Sequence, residues 1–135
     1  MFIYKRKAQY HETDKMGIIH HSNYIKWMEE ARVEFMDALG HGYRRMEKTG
    51  IASPVASLAV EYKNTVEFGD EVEVRLSIAK YSGAALEVEY EFYNTKKGEI
   101  CTTAHSRHCF IKDGRLVSLK RACPALDAAL RAAVG

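Results

Sequence analysis

The sequence predicts an α+β fold in which an antiparallel sheet of about five strands wraps around one long central helix, as a single domain over residues 1–135. Two observations predict it. Between Leu58 and Tyr93, three segments alternate apolar with charged or polar residues at period two, the mark of half-buried strands. From Ser22 onward, Tyr24, Met28, Ala31, Phe35 and Leu39 recur three or four residues apart, the spacing of a helix face. Ile25, Trp27, Val33 and Met36 add a second apolar flank, which marks this helix as buried on more than one side. Only the apolar face of the sheet is large enough to bury such a helix, so the sheet must curl around it.

In chain order, Phe2–Tyr10 reads as a first strand with Phe2, Tyr4 and Ala8 on one face and Lys5 and Lys7 on the other. A polar segment from His11 to Gly17 breaks it. Ser22 or Asn23 can cap the helix, and Gly40 and Gly42 can end it. Leu58, Val60 and Tyr62 then alternate with Ala59, Glu61 and Lys63. Val72, Val74, Leu76 and Ile78 alternate with Glu71, Glu73, Arg75 and Ser77, and Leu86, Val88, Tyr90 and Phe92 with Glu87, Glu89, Glu91 and Tyr93. One apolar and one wet face per strand suits an antiparallel sheet. Ser82-Gly83, Lys96-Lys97-Gly98 and Lys112-Asp113-Gly114 supply turns, the last leading to a strand at Leu116–Leu119. Ile100–Ile111, mixed on both faces, suits the middle of the sheet or a subunit contact. Pro124 is well placed to start an Ala-rich C-terminal helix.

Composition narrows the function. Twenty Lys and Arg against 18 Asp and Glu give a net charge of +2, with no basic run longer than two residues, which argues against nucleic acid as the partner. Lys5, Arg6 and Lys7 interrupt any N-terminal signal segment. The longest weakly polar stretch, Ile51–Val60, falls far short of the ~20 residues that cross a bilayer, so no membrane association is expected. Cys101, Cys109 and Cys123 are odd in number and lack CxxC spacing, which fits a reducing cytoplasm better than a disulfide framework. His11, His20, His21 and Asp14 lack the HxxxH or HExxH helical spacing, so no metal and no cofactor is assigned.

The run Asp14-Lys15-Met16-Gly17-Ile18-Ile19-His20-His21-Ser22-Asn23-Tyr24, with Glu29, Ala31 and Arg32 behind it, resembles the signature of the YbgC and 4-hydroxybenzoyl-CoA thioesterase branch of hot-dog-fold proteins. Val60-Glu61-Tyr62 and Phe68–Val74 resemble that family's second and third strands. The resemblance spans roughly residues 2 to 120. It implies a hot-dog fold, a homodimer or homotetramer, and hydrolysis of acyl-CoA thioesters in the cytoplasm. The chain departs from the pattern at His20, where the family often has Tyr or Phe, and the family varies between His and Tyr at the position of His21. Both departures bear on substrate choice.

Thioester hydrolysis needs an oxygen nucleophile and a donor for the developing oxyanion. Asp14 supplies the oxygen, either by direct attack or as general base on a water. It lies eight residues before Ser22, in the loop that feeds the central helix. The first N–H groups of a helix lack intrahelical partners and carry its positive end, so they polarise a carbonyl aimed at them. The resemblance makes the His21 N–H the main donor. The His21 side chain can orient Asp14, position water or protonate the leaving thiolate. Gly17 gives close backbone approach or a positive φ, and Ile18, Asn23 and Tyr24 are expected at the substrate.

Other readings stand beside these. Glu29 and Arg32 are spaced for a structural ion pair, while the family's Glu contacts substrate. Tyr24 and Trp27 serve as core or as acyl pocket. Lys63, Arg107, Lys120 and Arg121 are candidates for the CoA phosphates, against a plain role as solvated charges. Cys109 reads as filler, since no activating motif surrounds it. Two further functions remain open on the same scaffold: hydrolysis of an acyl-carrier-protein thioester, and acyl-CoA binding without catalysis.

Overall fold

The computed structural model describes residues 1–135. Strand β1 (Phe2–Lys7) leads through a 3-10 turn at Tyr10–Glu12 into helix α1 (Ser22–Ala38) and a short helix α2 (Tyr43–Thr49). Strands β2 (Ile51–Ala52), β3 (Val55–Tyr62), β4 (Glu71–Tyr81), β5 (Ala85–Asn94) and β6 (Glu99–Cys109) follow, then the small hairpin β7 (Ile111–Lys112) and β8 (Arg115–Leu116) and helices α3 (Leu119–Ala122) and α4 (Pro124–Ala133). The main sheet is antiparallel in the order β1-β4-β5-β6-β3, and β2, β7 and β8 form a second small sheet. This is the hot-dog arrangement that the sequence leads one to expect.

The alternation in β4 and β5 works as predicted. Val72, Val74, Leu76 and Ile78 of β4 and Leu86, Val88, Tyr90 and Phe92 of β5 are buried under α1, whose Tyr24, Trp27, Met28, Ala31 and Met36 meet them. In β6 the register shifts opposite Phe92 and Tyr93, and this bulge turns both Cys101 and Thr102 inward. Helix α1 ends as expected at Gly40, in a left-handed cap: the His41 N–H bonds the Met36 carbonyl and the Gly40 N–H the Asp37 carbonyl. Asp113 and Gly114, both at positive φ, make the two-residue turn between β7 and β8. Pro124 opens α4, which buries Leu126 and Leu130 and fastens Asp127 to the Tyr81 hydroxyl at 2.5 Å.

Several expectations need correction. The first strand ends at Lys7, not Tyr10, and the expected strand at Leu116–Leu119 is two residues long because Leu119 already belongs to α3. Helix α2 has no counterpart in the sequence reading, because only Tyr43 and Met46 interrupt its polar residues. Strand β3 lies at the sheet edge, and although Tyr62 packs edge-on against Tyr24 of α1, Leu58 stays 38% and Tyr62 48% exposed where a buried face is expected. Ile25 is likewise 40% exposed, while Trp27 and Met36 of the same expected flank are buried.

The Glu29–Arg32 ion pair does not form. Arg32 turns inward, and its Nη1 donates to the Tyr90 hydroxyl at 3.0 Å. The Tyr90 hydroxyl lies 2.6 Å from Ser106 Oγ, which lies 2.8 Å from His108 Nε2. Burial, with the Arg32 charge nearby, lowers the His108 pKa to about 4. The unfolded chain takes up that proton near pH ~6.5. Between these values only the unfolded state gains the proton, so stability falls as pH falls, by on the order of 3 kcal/mol over the whole window. Urea unfolding of wild type and His108→Gln at both ends of the window checks this. The loss between the two pH values should be smaller in the variant by about that amount.

Candidate active site

Asp14 sits at the tip of a small hairpin between β1 and α1. Its N–H bonds the Ile18 carbonyl at 2.8 Å, the Gly17 N–H returns to the Asp14 carbonyl at 3.0 Å, and Thr13 bridges Ile19. Gly17 adopts φ 79°, a conformation that a residue with a Cβ rarely takes, so the tip needs glycine there. The Met16 N–H donates to Asp14 Oδ1 at 2.8 Å, which orients the carboxylate and leaves Oδ2 without a protein partner. The far side of the hairpin is laid against the connection between β3 and β4 by the Ile19 N–H, which bonds the Val66 carbonyl at 2.8 Å.

Glu12 holds both ends of this hairpin. Its side chain is buried, and Oε2 accepts from Trp27 Nε1 and from Arg6 Nη2, each at 2.9 Å, while Oε1 accepts the Gln9 N–H at 2.8 Å. Its carbonyl accepts the His20 N–H and the Asn23 side-chain amide, both at 2.9 Å. One residue thus ties β1, the Asp14 hairpin and the first turn of α1 together. The sequence reading overlooked it. The available signal was a Glu flanked by turn residues just before the motif, which is too common to single out.

The start of α1 is not capped as expected. Ser22 is its first helical residue, and the Ser22 N–H is taken by the ring of His20, whose Nδ1 lies 3.2 Å away. The Asn23 amide is committed to the Glu12 and His20 carbonyls. The exposed His21 ring stacks on His20 with centroids 4.2 Å apart, and the His21 carbonyl accepts the Tyr62 hydroxyl at 3.1 Å. The His21 N–H has no acceptor within the protein.

Asp14 and His21 open on one cleft of about 240 Å³. Ile18, Tyr24, Tyr62 and Lys63 line it, with Met16, Asn64 and Thr65 at its margin. Burial pushes the Tyr24 and Tyr62 hydroxyls up, so both remain neutral donors. Of the predicted residues, Asp14, Ile18, His21, Tyr24 and Lys63 therefore come together, with Gly17 shaping the hairpin. Asn23 is buried behind the cleft. Glu29 lies outside it, on the exposed flank of α1 one turn beyond Ile25.

Arg107 is five residues along β6 from Thr102, roughly 17 Å from the cleft end of that strand. Lys120 and Arg121 lie on α3, and within one copy the structure does not bring these three to Asp14. Tyr62, Asn64 and Thr65 are cleft residues the sequence reading did not place there. Cys109 is half-buried. Cys101 is the fully buried thiol, donating to the Phe92 carbonyl, and burial pushes its pKa up to about 11. A larger groove of about 510 Å³ crosses the outer face of the sheet beside Arg75, Glu91 and His105, and neither Asp14 nor His21 lines it.

A sheet wrapped around one helix, with Asp14 and His21 on a cleft at that helix's N-terminus, is a hot-dog fold with a candidate site at the helix start. The chain belongs to the thioesterase-like superfamily, whose family model matches residues 8–133. The DHNA-CoA thioesterase of Staphylococcus aureus superposes with a TM-score of 0.92 at 38% identity, covering 97% of this chain and 89% of its own. YneP of Bacillus subtilis (strain 168), a provisional acyl-CoA thioesterase, is 36% identical over 120 residues, 87% of this chain and 86% of its own. The acyl-CoA thioesterase YbgC of Haemophilus influenzae is 26% identical over 86 residues, 63% of each chain.

Replacing Glu12 by Ala leaves the Trp27 indole N–H without its acceptor and Arg6 with Glu30 as its remaining carboxylate partner. The variant should lose about 3 kcal/mol of stability, read from the urea midpoint against wild type.

Proposed function

We propose that the protein hydrolyses acyl-CoA thioesters to a carboxylic acid and free CoA, with Asp14 and the His21 N–H as the reacting pair. The observation that carries this reading is that a carboxylate with one unengaged oxygen and a backbone N–H without an acceptor open on one cleft at the start of α1. The His21 N–H, at the positive end of the helix, receives the thioester oxygen as negative charge develops on it. Asp14 then acts by one of two routes. Its Oδ2 bonds the carbonyl carbon, the C–S bond breaks and CoA leaves as thiolate, after which water hydrolyses the anhydride. Alternatively, Asp14 takes a proton from water as that water bonds the carbon, and the departing thiolate recovers the proton. The His21 side chain, at the cleft mouth, orients the water or the carboxylate.

Similarity to the S. aureus DHNA-CoA thioesterase and to YneP supports a CoA thioester as substrate. The acyl group packs on Ile18 and Tyr24, and Lys63 meets a CoA phosphate at the cleft edge. The homo-oligomer is part of the proposal. Exposed Val55, Leu58 and Tyr62 on the open edge strand β3, and Ile25 on the bare flank of α1, are apolar surface that a second copy covers. A second copy is also the source of Arg107, Lys120 and Arg121 for CoA, and it brings Glu29 into the shared site. No helix is long and apolar enough to cross a membrane. Three free cysteines suit a cytoplasmic setting.

Thiol release from a panel of short, medium and aromatic acyl-CoAs tests the reading, with wild type beside Asp14→Asn. The variant should fold alike and lose at least about 100-fold in kcat. Turnover of acyl-carrier protein alone would move the substrate to that partner, and saturable acyl-CoA binding without thiol release would leave a binding module. Leu58→Asp places a charge on the β3 edge. It should shift the protein to monomer on size exclusion and remove thiol release together with it.

A further inference from the structure

His20 adjoins the reacting pair yet has no part in the hydrolysis proposed above. Its main chain is held on both sides, the N–H by the Glu12 carbonyl at 2.9 Å and the carbonyl by the Asn23 N–H at 3.0 Å. Its ring therefore has few positions to occupy. Nδ1 accepts the Ser22 N–H at 3.2 Å and lies 2.8 Å from Ser22 Oγ, while the ring face stacks on His21 with planes 29° apart. With its hydrogen on Nε2, the ring accepts the Ser22 N–H at Nδ1.

We propose that His20 is a positioning residue, whose neutral ring caps the Ser22 N–H, leaves the His21 N–H as the donor facing the cleft, and holds the His21 ring against its face. The proposal rests on the reading of Asp14 and His21 given above. Neighbouring N–H groups at a helix start compete for the same carbonyl. If the Ser22 N–H were free, the substrate oxygen could shift by one residue toward it and away from Asp14, and displacements of that size are costly to catalysis.

The test measures kcat and KM between about pH 5 and about pH 9 on the acyl-CoA that wild type hydrolyses best, after thermal melts show that each variant folds. In His20→Asn the side-chain oxygen stands where Nδ1 stood. This variant should keep kcat within about threefold of wild type. His20→Phe keeps an aromatic ring and removes the acceptor. Its kcat should fall roughly tenfold across the range, with KM little changed. A His20→Phe kcat equal to wild type, or a His20→Asn kcat as low as that of His20→Phe, overturns the proposal. Asp14→Asn, run in parallel, separates the two failures. If it is inactive while both His20 variants behave as wild type, only the role of His20 falls. If it remains active, or if wild type hydrolyses no thioester, the Asp14 reading falls and the role of His20 with it.

Discussion

A 17-residue helix with apolar side chains on more than one flank has only one sheet to hide against. That constraint shapes the molecule. Strands β4 and β5 take the centre and bury an unbroken apolar face under Trp27, Met28 and Ala31. The sheet cannot also enclose the opposite flank of α1, so Ile25 stays exposed, and β3 runs past the helix with Leu58 and Tyr62 open to solvent. Exposure of this kind on an edge strand invites pairing or covering by another chain. The cleft opens beside the end of this edge strand, where the Tyr62 hydroxyl reaches the His21 carbonyl and its ring meets Tyr24.

The link from fold to chemistry runs through Glu12. A connection of fourteen residues between a strand and a helix has no reason to hold a carboxylate in one place unless it is fixed along its length. Here Glu12 fixes it, with its carboxylate toward Arg6 and Trp27 and its carbonyl toward His20 and Asn23. Hairpin bonds from Thr13 to Ile19 supply the remaining rigidity. A buried carboxylate with three donors costs desolvation, and in return its removal leaves two elements without their shared acceptor. Such groups serve geometry more than net stability.

The parts of this structure legible in the sequence are those where one physical signal dominates. Period-two alternation from Val72 to Phe92 and the three-four spacing from Ser22 identify the sheet centre and the helix, because burial on one face leaves a periodic trace. Asp14 and Gly17 stand out through the motif that contains them. Helix α2 leaves almost no periodic trace. The exposed face of β3 carries the same alternation as a buried one, so alternation alone does not tell the two apart. Arg32 looks like the partner of Glu29 by spacing, and only the position of Tyr90 on β5 shows that it turns inward. Glu12 and Tyr62 act through contacts with residues 15 and 41 positions away, a separation at which sequence carries no local signal.

Apolar packing alone would not hold α1 at one height on the sheet, because burial is non-directional and a helix can slide along a smooth apolar face at little cost. Polar contacts at two points along α1 remove that freedom. Near its start, Trp27 donates to Glu12. More than a turn later, Arg32 donates to Tyr90 and joins a chain that runs through Ser106 to His108. Each bond works over a few tenths of an ångström and in one direction, so the pair fixes translation and rotation together. The N-terminus of α1 is thereby held in register with the Asp14 hairpin. That register decides whether a backbone N–H and a carboxylate address the same carbonyl.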